Sequence, residues 1–216
     1  MKGLFNMSTI MGFAAMIILP YLLGSVNSSI LIGKLFGIND IRKHGSGNAG
    51  ATNTLRTIGK RAALFTFAGD VLKGVLAVLM GWITNQILHI DMAGLGIVAG
   101  LFVVVGHIFP IFFHFKGGKG VATAIGMIFM LDFRIGLILL FLFVAVLFLF
   151  RYVSLGAIVG VIAYPILVMI FHPSEGLFII TSFCVSALII FMHRSNIVRI
   201  AKGAENRITS KKKTDG

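Results

Sequence analysis

The chain has 216 residues, 57% of them hydrophobic and only 12% charged, with a mean hydropathy of +1.00. Soluble domains carry about 25% charged residues, so this composition excludes a soluble enzyme, a secreted disulfide scaffold and a disordered tail, and points to lipid as the solvent. The basic residues, 19 against 7 acidic for a net charge of +12, would suggest nucleic acid in a soluble chain; here their placement decides otherwise.

Seven apolar segments follow in chain order: Ile10 to Phe36, Ala62 to Ile83, Ala93 to Phe113, Val121 to Leu131, Ile135 to Phe150, Leu155 to Phe171 and Leu177 to Met192. A spanning helix needs roughly 20 apolar residues. Six segments fit that range, whereas Val121 to Leu131 is short enough for a re-entrant hairpin. The first segment follows Lys2 but has no Ala-x-Ala site and continues through Gly24-Ser25 to Lys34, which reads as a retained helix rather than a signal peptide.

Charge settles the short segment. With seven crossings and the N-terminus outside, all of the 19 basic residues except Lys2, Arg134 and the intramembrane Lys73 fall on the inner side. A re-entrant fourth segment would turn the tail, with Arg194, Arg199, Lys202, Arg207 and Lys211 to Lys213, outward, against the positive-inside rule. The expectation is an all-α polytopic membrane protein of seven transmembrane helices, N-terminus outside and C-terminus cytoplasmic. It forms one embedded domain over 1–216 with a basic tail over 199–216. The positive charge then serves orientation and attraction to anionic lipid, with no nucleic-acid partner. The one cysteine, Cys184, excludes an intramolecular disulfide and a multi-cysteine zinc site, and reads as a small buried hydrophobe.

The polar residues gather in the inner connections. In the first, Gly45, Gly47 and Gly50 permit positive φ and a nest of backbone N–H groups suited to an anion. Ser46, Asn48, Thr52 and Asn53 add side-chain donors; Arg42, Lys43 and Arg56 add charge. The glycine spacing also matches G-x-G-x-x-G, but no βαβ unit surrounds it, so a dinucleotide site is excluded. The competing structural role is a glycine-rich turn with Thr52 or Asn53 capping a helix.

In the second connection, Gly117, Gly118, Lys119 and Gly120 lead into the next segment, whose helical N-terminus attracts phosphate or carboxylate. It is no Walker A loop, because Phe113 stands where the first glycine is required. Lys116 reads as a topology anchor, whereas Lys119, enclosed by glycines, reads as a ligand. The third cluster is His193, Asn196 and Arg199, on one face if the helix continues, followed by Glu205. His193 is a proton carrier, a phosphate donor or an interfacial polar residue on spacing alone. Within the second span, Asp70 and Lys73 are spaced for a structural ion pair, and His107 is placed to hold the second loop by a hydrogen bond. Scattered carboxylates predict no metal site.

Three strings carry a family resemblance: Gly45-Ser-Gly-Asn-x-Gly-Ala-Thr-Asn53; Gly106-His-x-Phe-Pro110 with Phe115-Lys-Gly-Gly-Lys-Gly-Val-Ala-Thr123; and His193-x-x-Asn-Ile197 with Arg199 and Glu205. They resemble the three motifs of the bacterial membrane glycerol-3-phosphate acyltransferases that use acyl-phosphate, the PlsY family. Gly24-Ser25, Asp70-x-x-Lys73-Gly74 and Val153-Ser154-Leu155 are similar as well, so the match covers nearly the whole chain. Asn27 and His114 depart from the usual residues, outside the motifs.

The resemblance implies a bacterial inner-membrane enzyme with its active site on the cytoplasmic face. It implies transfer of an acyl group from acyl-phosphate to the 1-hydroxyl of glycerol 3-phosphate, giving lysophosphatidic acid and phosphate at the first step of phospholipid synthesis, with no cofactor. An upstream acyl-phosphate-forming enzyme is the implied partner. By similarity Ser46, Thr52, Arg56, Lys119 and Ser154 surround phosphate, with the glycines and amides of both loops; His193 and Asn196 complete the catalytic set; and Glu205 is structural.

A mixed anhydride already carries a good leaving group, so the chemistry is chiefly positioning and charge stabilisation. No histidine is followed by the His-x₄-Asp spacing of the other large acyltransferase class. The proton therefore goes to His193 or to the acceptor's own phosphate. Ser46 as an acyl-enzyme nucleophile lacks a neighbouring base. The alternative from another class is a transporter of phosphate or a phosphate ester, which two anion-seeking loops would suit but the absence of an inverted repeat disfavours; a lipid-binding scaffold would need neither Lys119 nor Thr52.

Overall fold

A computed structural model describes residues 7–87 and 94–207; Lys2, Ala93 and Lys211 to Lys213 lie outside the described residues. Every regular element among them is helical: α1 (Met7–Ser25), α2 (Ser28–Leu35), α3 (Ala51–Thr57), α4 (Lys60–Ile87), α5 (Leu95–Ile108), α6 (Val121–Leu131), α7 (Phe133–Phe150), α8 (Val153–Phe171), α9 (Gly176–Met192) and α10 (Arg194–Ala201), with two short 3₁₀ turns at Ile41–Lys43 and Ile111–Phe113. Five stretches are long and apolar enough to cross a membrane, or six if α9 and α10, bent by 58°, are one. α6 has 11 residues, about 16 Å of helix at 1.5 Å per residue, against a hydrocarbon core of roughly 30 Å.

The first apolar run is not one continuous helix. It breaks between Ser25 and Ser28, where the Asn27 Oδ1 accepts from Ile30 N at 3.1 Å and starts α2. The carbonyls released there are taken by an intramembrane cation: Lys73 Nζ donates to Gly24 O at 3.2 Å and Val26 O at 3.1 Å. In a medium without water such groups need internal partners. α5 in turn stops at Ile108, two residues before Pro110, because the residue before proline is pushed out of helical conformation.

Two compact units divide the chain, Met1–Phe133 and Arg134–Gly216. In the first, α4 and α5 pack with α1 and α6 through glycine faces. A Cβ at Gly24 would collide with the Val103 carbonyl, at Gly106 with the Tyr21 carbonyl, and at Gly74 with the Thr123 carbonyl; small residues let membrane helices approach this closely. Tyr21 Oη donates to Phe109 O at 3.0 Å, tying α1 to the end of α5. In the second unit, α8 and α9 are joined by the Ser186 Oγ, which donates to Val161 O at 2.6 Å. Cys184, expected to be buried, lies on the exposed face of α9, because a lipid-facing position is as apolar as the interior.

Candidate active site

The first loop is built around one amide. Asn53, in the middle of α3, is buried, and its Oδ1 accepts from Ser46 N at 2.8 Å while its Nδ2 donates to Ile41 O at 3.1 Å and His44 O at 3.0 Å. Expected among the phosphate donors, Asn53 is instead committed to loop backbone on both sides of its amide. Neither Thr52 nor Asn53 caps α3; the cap is Gly50, without a side-chain bond. Gly45 and Gly47 use their freedom, at φ +59 and +74, and a Cβ on Gly45 would strike the Asn53 amide. Gly50 is extended, at φ −165, so any residue's backbone could follow it there. Ser46 and Arg56 stand exposed, and Asn48 and Thr52 half-buried.

The second loop starts with a turn at Ile111–Phe113 and passes through His114 and Phe115, both left-handed at φ +56. Gly117 N donates to Ile108 O at 3.1 Å and Gly118 N to His107 O at 3.2 Å, folding the loop back on the end of α5. Gly118 is a point of close approach: a Cβ there would meet both the His107 ring and the Ala49 carbonyl of the first loop. Gly120, at φ +85, starts α6, and Lys119 is half-buried between these glycines.

Arg42 joins the two loops. It is gripped by Asp40, Nε to Oδ1 at 2.9 Å and Nη2 to Oδ2 at 2.8 Å, and its Nη1 donates to Phe113 O and Lys116 O at 3.0 Å each. Those hydrogen bonds hold the Asp40 carboxyl below its ordinary value. Arg42 is therefore a strut whose charge is matched by Asp40. The Asp-x-Arg spacing was the available sequence signal, masked by the basic residues around it. Beneath the loops, the expected Asp70–Lys73 ion pair is present at 2.9 Å. His107 holds the second loop through its carbonyl rather than its ring, whose Nδ1 stands 3.5 Å from Asp70 Oδ1 without a hydrogen bond.

In the second unit, α9 ends at Met192 and the chain bends at His193 into α10. His193 is buried, with Nδ1 2.8 Å from Ile189 O. A carbonyl only accepts, so Nδ1 carries the proton and Nε2 the lone pair in the neutral ring. Glu205 gathers the rest of the motif: Ser154 Oγ donates to its Oε1 at 3.0 Å, Asn196 Nδ2 to Oε1 at 2.8 Å, and Arg199 Nε to Oε2 at 2.8 Å. Burial raises the Glu205 carboxyl, but these three donors and the Arg199 charge outweigh it and hold it below the ordinary glutamate value. Ser154 and Asn196, expected on substrate, thus each direct a donor to Glu205. Glu205 itself has the structural place that the resemblance implies.

Fold and loops define the class first: a helical membrane protein with two glycine-shaped loops brought together in one unit. The family model for glycerol-3-phosphate acyltransferase matches residues 14–203. A glycerol-3-phosphate acyltransferase of Clostridioides difficile (strain 630) is 41% identical over 203 residues, covering 94% of this chain and 98% of that one. Among solved structures, PlsY (YgiH), an integral membrane glycerol 3-phosphate acyltransferase, superposes in its glycerol 3-phosphate form with a TM-score of 0.82 at 36% identity, covering 90% of this chain and 94% of that one. Its lysophosphatidic acid form gives 0.79 at 35% identity with the same coverage. The chain belongs to the glycerol-3-phosphate acyltransferase family, on its PlsY side, and is an acyltransferase.

Proposed function

We propose that the protein transfers a fatty acyl group from acyl-phosphate to the 1-hydroxyl of sn-glycerol 3-phosphate, releasing phosphate and lysophosphatidic acid. The observation that carries this is the meeting of the two loops at Ala49 and Gly118, with Ser46, Thr52 and Arg56 on one and Lys119 on the other. Both substrates bear phosphate, and two anion-seeking loops answer that need. The backbone N–H groups around Gly45 to Gly50 and Gly117 to Gly120, with the Ser46 and Thr52 hydroxyls, bind phosphate oxygens; Arg56 and Lys119 supply charge.

In the reaction the acceptor hydroxyl oxygen bonds to the acyl carbon and the bond from that carbon to the phosphate oxygen breaks. The electron pair leaves with phosphate, where Lys119 stabilises it. The hydroxyl proton passes to the acceptor's own phosphate. Asn196 and Ser154, held by Glu205, set the position of their helices. His193→Gln is expected to retain substantial turnover; a loss of about a hundredfold or more, the range of general acid–base catalysis, with substrate affinity unchanged, moves the base role to the histidine.

The charge distribution supports seven crossings with α6 as the fourth, the N-terminus outside, and both loops on the cytoplasmic side of a bacterial inner membrane. The donor, a reactive mixed anhydride, is supplied by an acyl-phosphate-forming enzyme. The test is product identification: purified protein given palmitoyl-phosphate and glycerol 3-phosphate should form 1-palmitoyl lysophosphatidic acid, and should form none from palmitoyl-CoA. Equal product from palmitoyl-CoA would overturn the donor assignment.

A further inference from the structure

Three ionisable groups buried in the first unit, Asp70, Lys73 and His107, take no part in the chemistry above. Charge at membrane depth is costly, and persists where it does specific work. A single oxygen, Asp70 Oδ1, receives the Ser28 Oγ hydrogen bond at 2.9 Å and the Lys73 ammonium at 2.9 Å, with His107 Nδ1 3.5 Å away. These partners stand at the roots of the two loops. Ser28 opens α2, the helix that leads into the first loop, and Lys73 holds the broken backbone just before it through Gly24 O and Val26 O. His107 lies in the last turn of α5, its carbonyl bonded to Gly118 N and its ring against Gly118.

We infer that Asp70 is a positioning residue: its carboxylate fixes the root of the first loop against the root of the second and so sets the spacing of the two phosphate sites. The inference rests on the acyl-transfer function proposed above. A group that sets spacing acts on the encounter of two bound substrates rather than on the hold of either one. A misplacement of about 1 Å between reacting atoms costs on the order of 100-fold in rate, while one substrate bound alone still finds its own loop intact.

The test uses Ser28→Ala and His107→Gln, alone and together, because both leave the Asp70–Lys73 pair standing. Each should lower kcat by about 10- to 100-fold while the Kd for glycerol 3-phosphate alone stays within about twofold. The double variant should fall less than the product of the singles, since both act through one carboxylate. In parallel, spin labels at Lys43→Cys and Lys116→Cys, with Cys184→Ser, should report a narrow inter-loop distance in the parent and a shifted or broadened one in either variant. Unchanged label distances in folded variants, or glycerol 3-phosphate affinity falling in step with kcat, would overturn the inference. An inactive parent protein would instead strike the acyl-transfer function, and the label distances would still decide the positioning role.

Discussion

Asn53 satisfies three backbone groups of the first loop with one amide. Removing it strands the Ser46 N–H and takes one of two bonds from each carbonyl, since Ile41 O keeps His44 N and His44 O keeps Gly47 N; a buried group left unmatched costs about 1–3 kcal/mol. Asn53→Ala should therefore lower the thermal midpoint and raise KM for glycerol 3-phosphate together, read by a melting curve and steady-state kinetics on the same preparation. A ligand without a structural part would move KM and leave the midpoint in place. His114 presents the opposite case. It is held left-handed at φ +56, a strain of about 1–3 kcal/mol for a residue with a Cβ. His114→Gly should raise the thermal midpoint with kcat unchanged, and a fall in the midpoint would show that the imidazole makes a contact worth more than the strain.

Elements meet in this protein through single points that admit no extra atom. Gly118→Ala would drive the new methyl into the His107 ring and the Ala49 carbonyl, so it should abolish acyl transfer while the helices stay folded by circular dichroism; wild-type kinetics from this variant would refute the close approach. At α10 the fastening is ionic. The carboxyl of Glu205 is held below its ordinary 4.5, so the folded state favours the charged form. That contribution is fully present above the ordinary value and is lost as pH falls through the lowered one. Wild-type protein should lose stability on acidification below about pH 4.5, whereas Glu205→Gln should be less stable near neutrality and lack that acid-dependent step, as measured by melting across pH. These elements differ in how far the sequence announced them. Apolar runs located the helices, because hydropathy alone marks a lipid-facing segment. The break at Asn27 stayed hidden in its apolar run, since it depends on Lys73, a residue 46 positions on, to cap the freed carbonyls. Glycines at 45 and 47 were legible as turn residues, whereas Gly50, read with them, is extended. Gly24, Gly74 and Gly106 were not distinguishable from ordinary packing glycines until the helices crossing them were known.

At the scale of the whole molecule, composition and charge established a membrane protein, and three motif strings resembled one acyltransferase family; the family model and a 41% identical relative place the chain in it. Donor residues in the motifs read alike in sequence, yet the structure separates them by partner: Asn53 serves the loop, and Ser154 and Asn196 each bond Glu205. Ser46, Thr52, Arg56 and Lys119 remain the groups assigned to phosphate. Spacing could not make that division, because a buried amide and a phosphate-binding amide occupy the same positions in a motif and differ only in what faces them.

The most direct test follows inorganic phosphate released from palmitoyl-phosphate by purified protein in detergent or a lipidic mesophase, with and without glycerol 3-phosphate, for wild type and Lys119→Ala. The account predicts release that depends on the acceptor in the wild type and collapses in the variant. Release that is independent of glycerol 3-phosphate, or undiminished without the lysine, would contradict it.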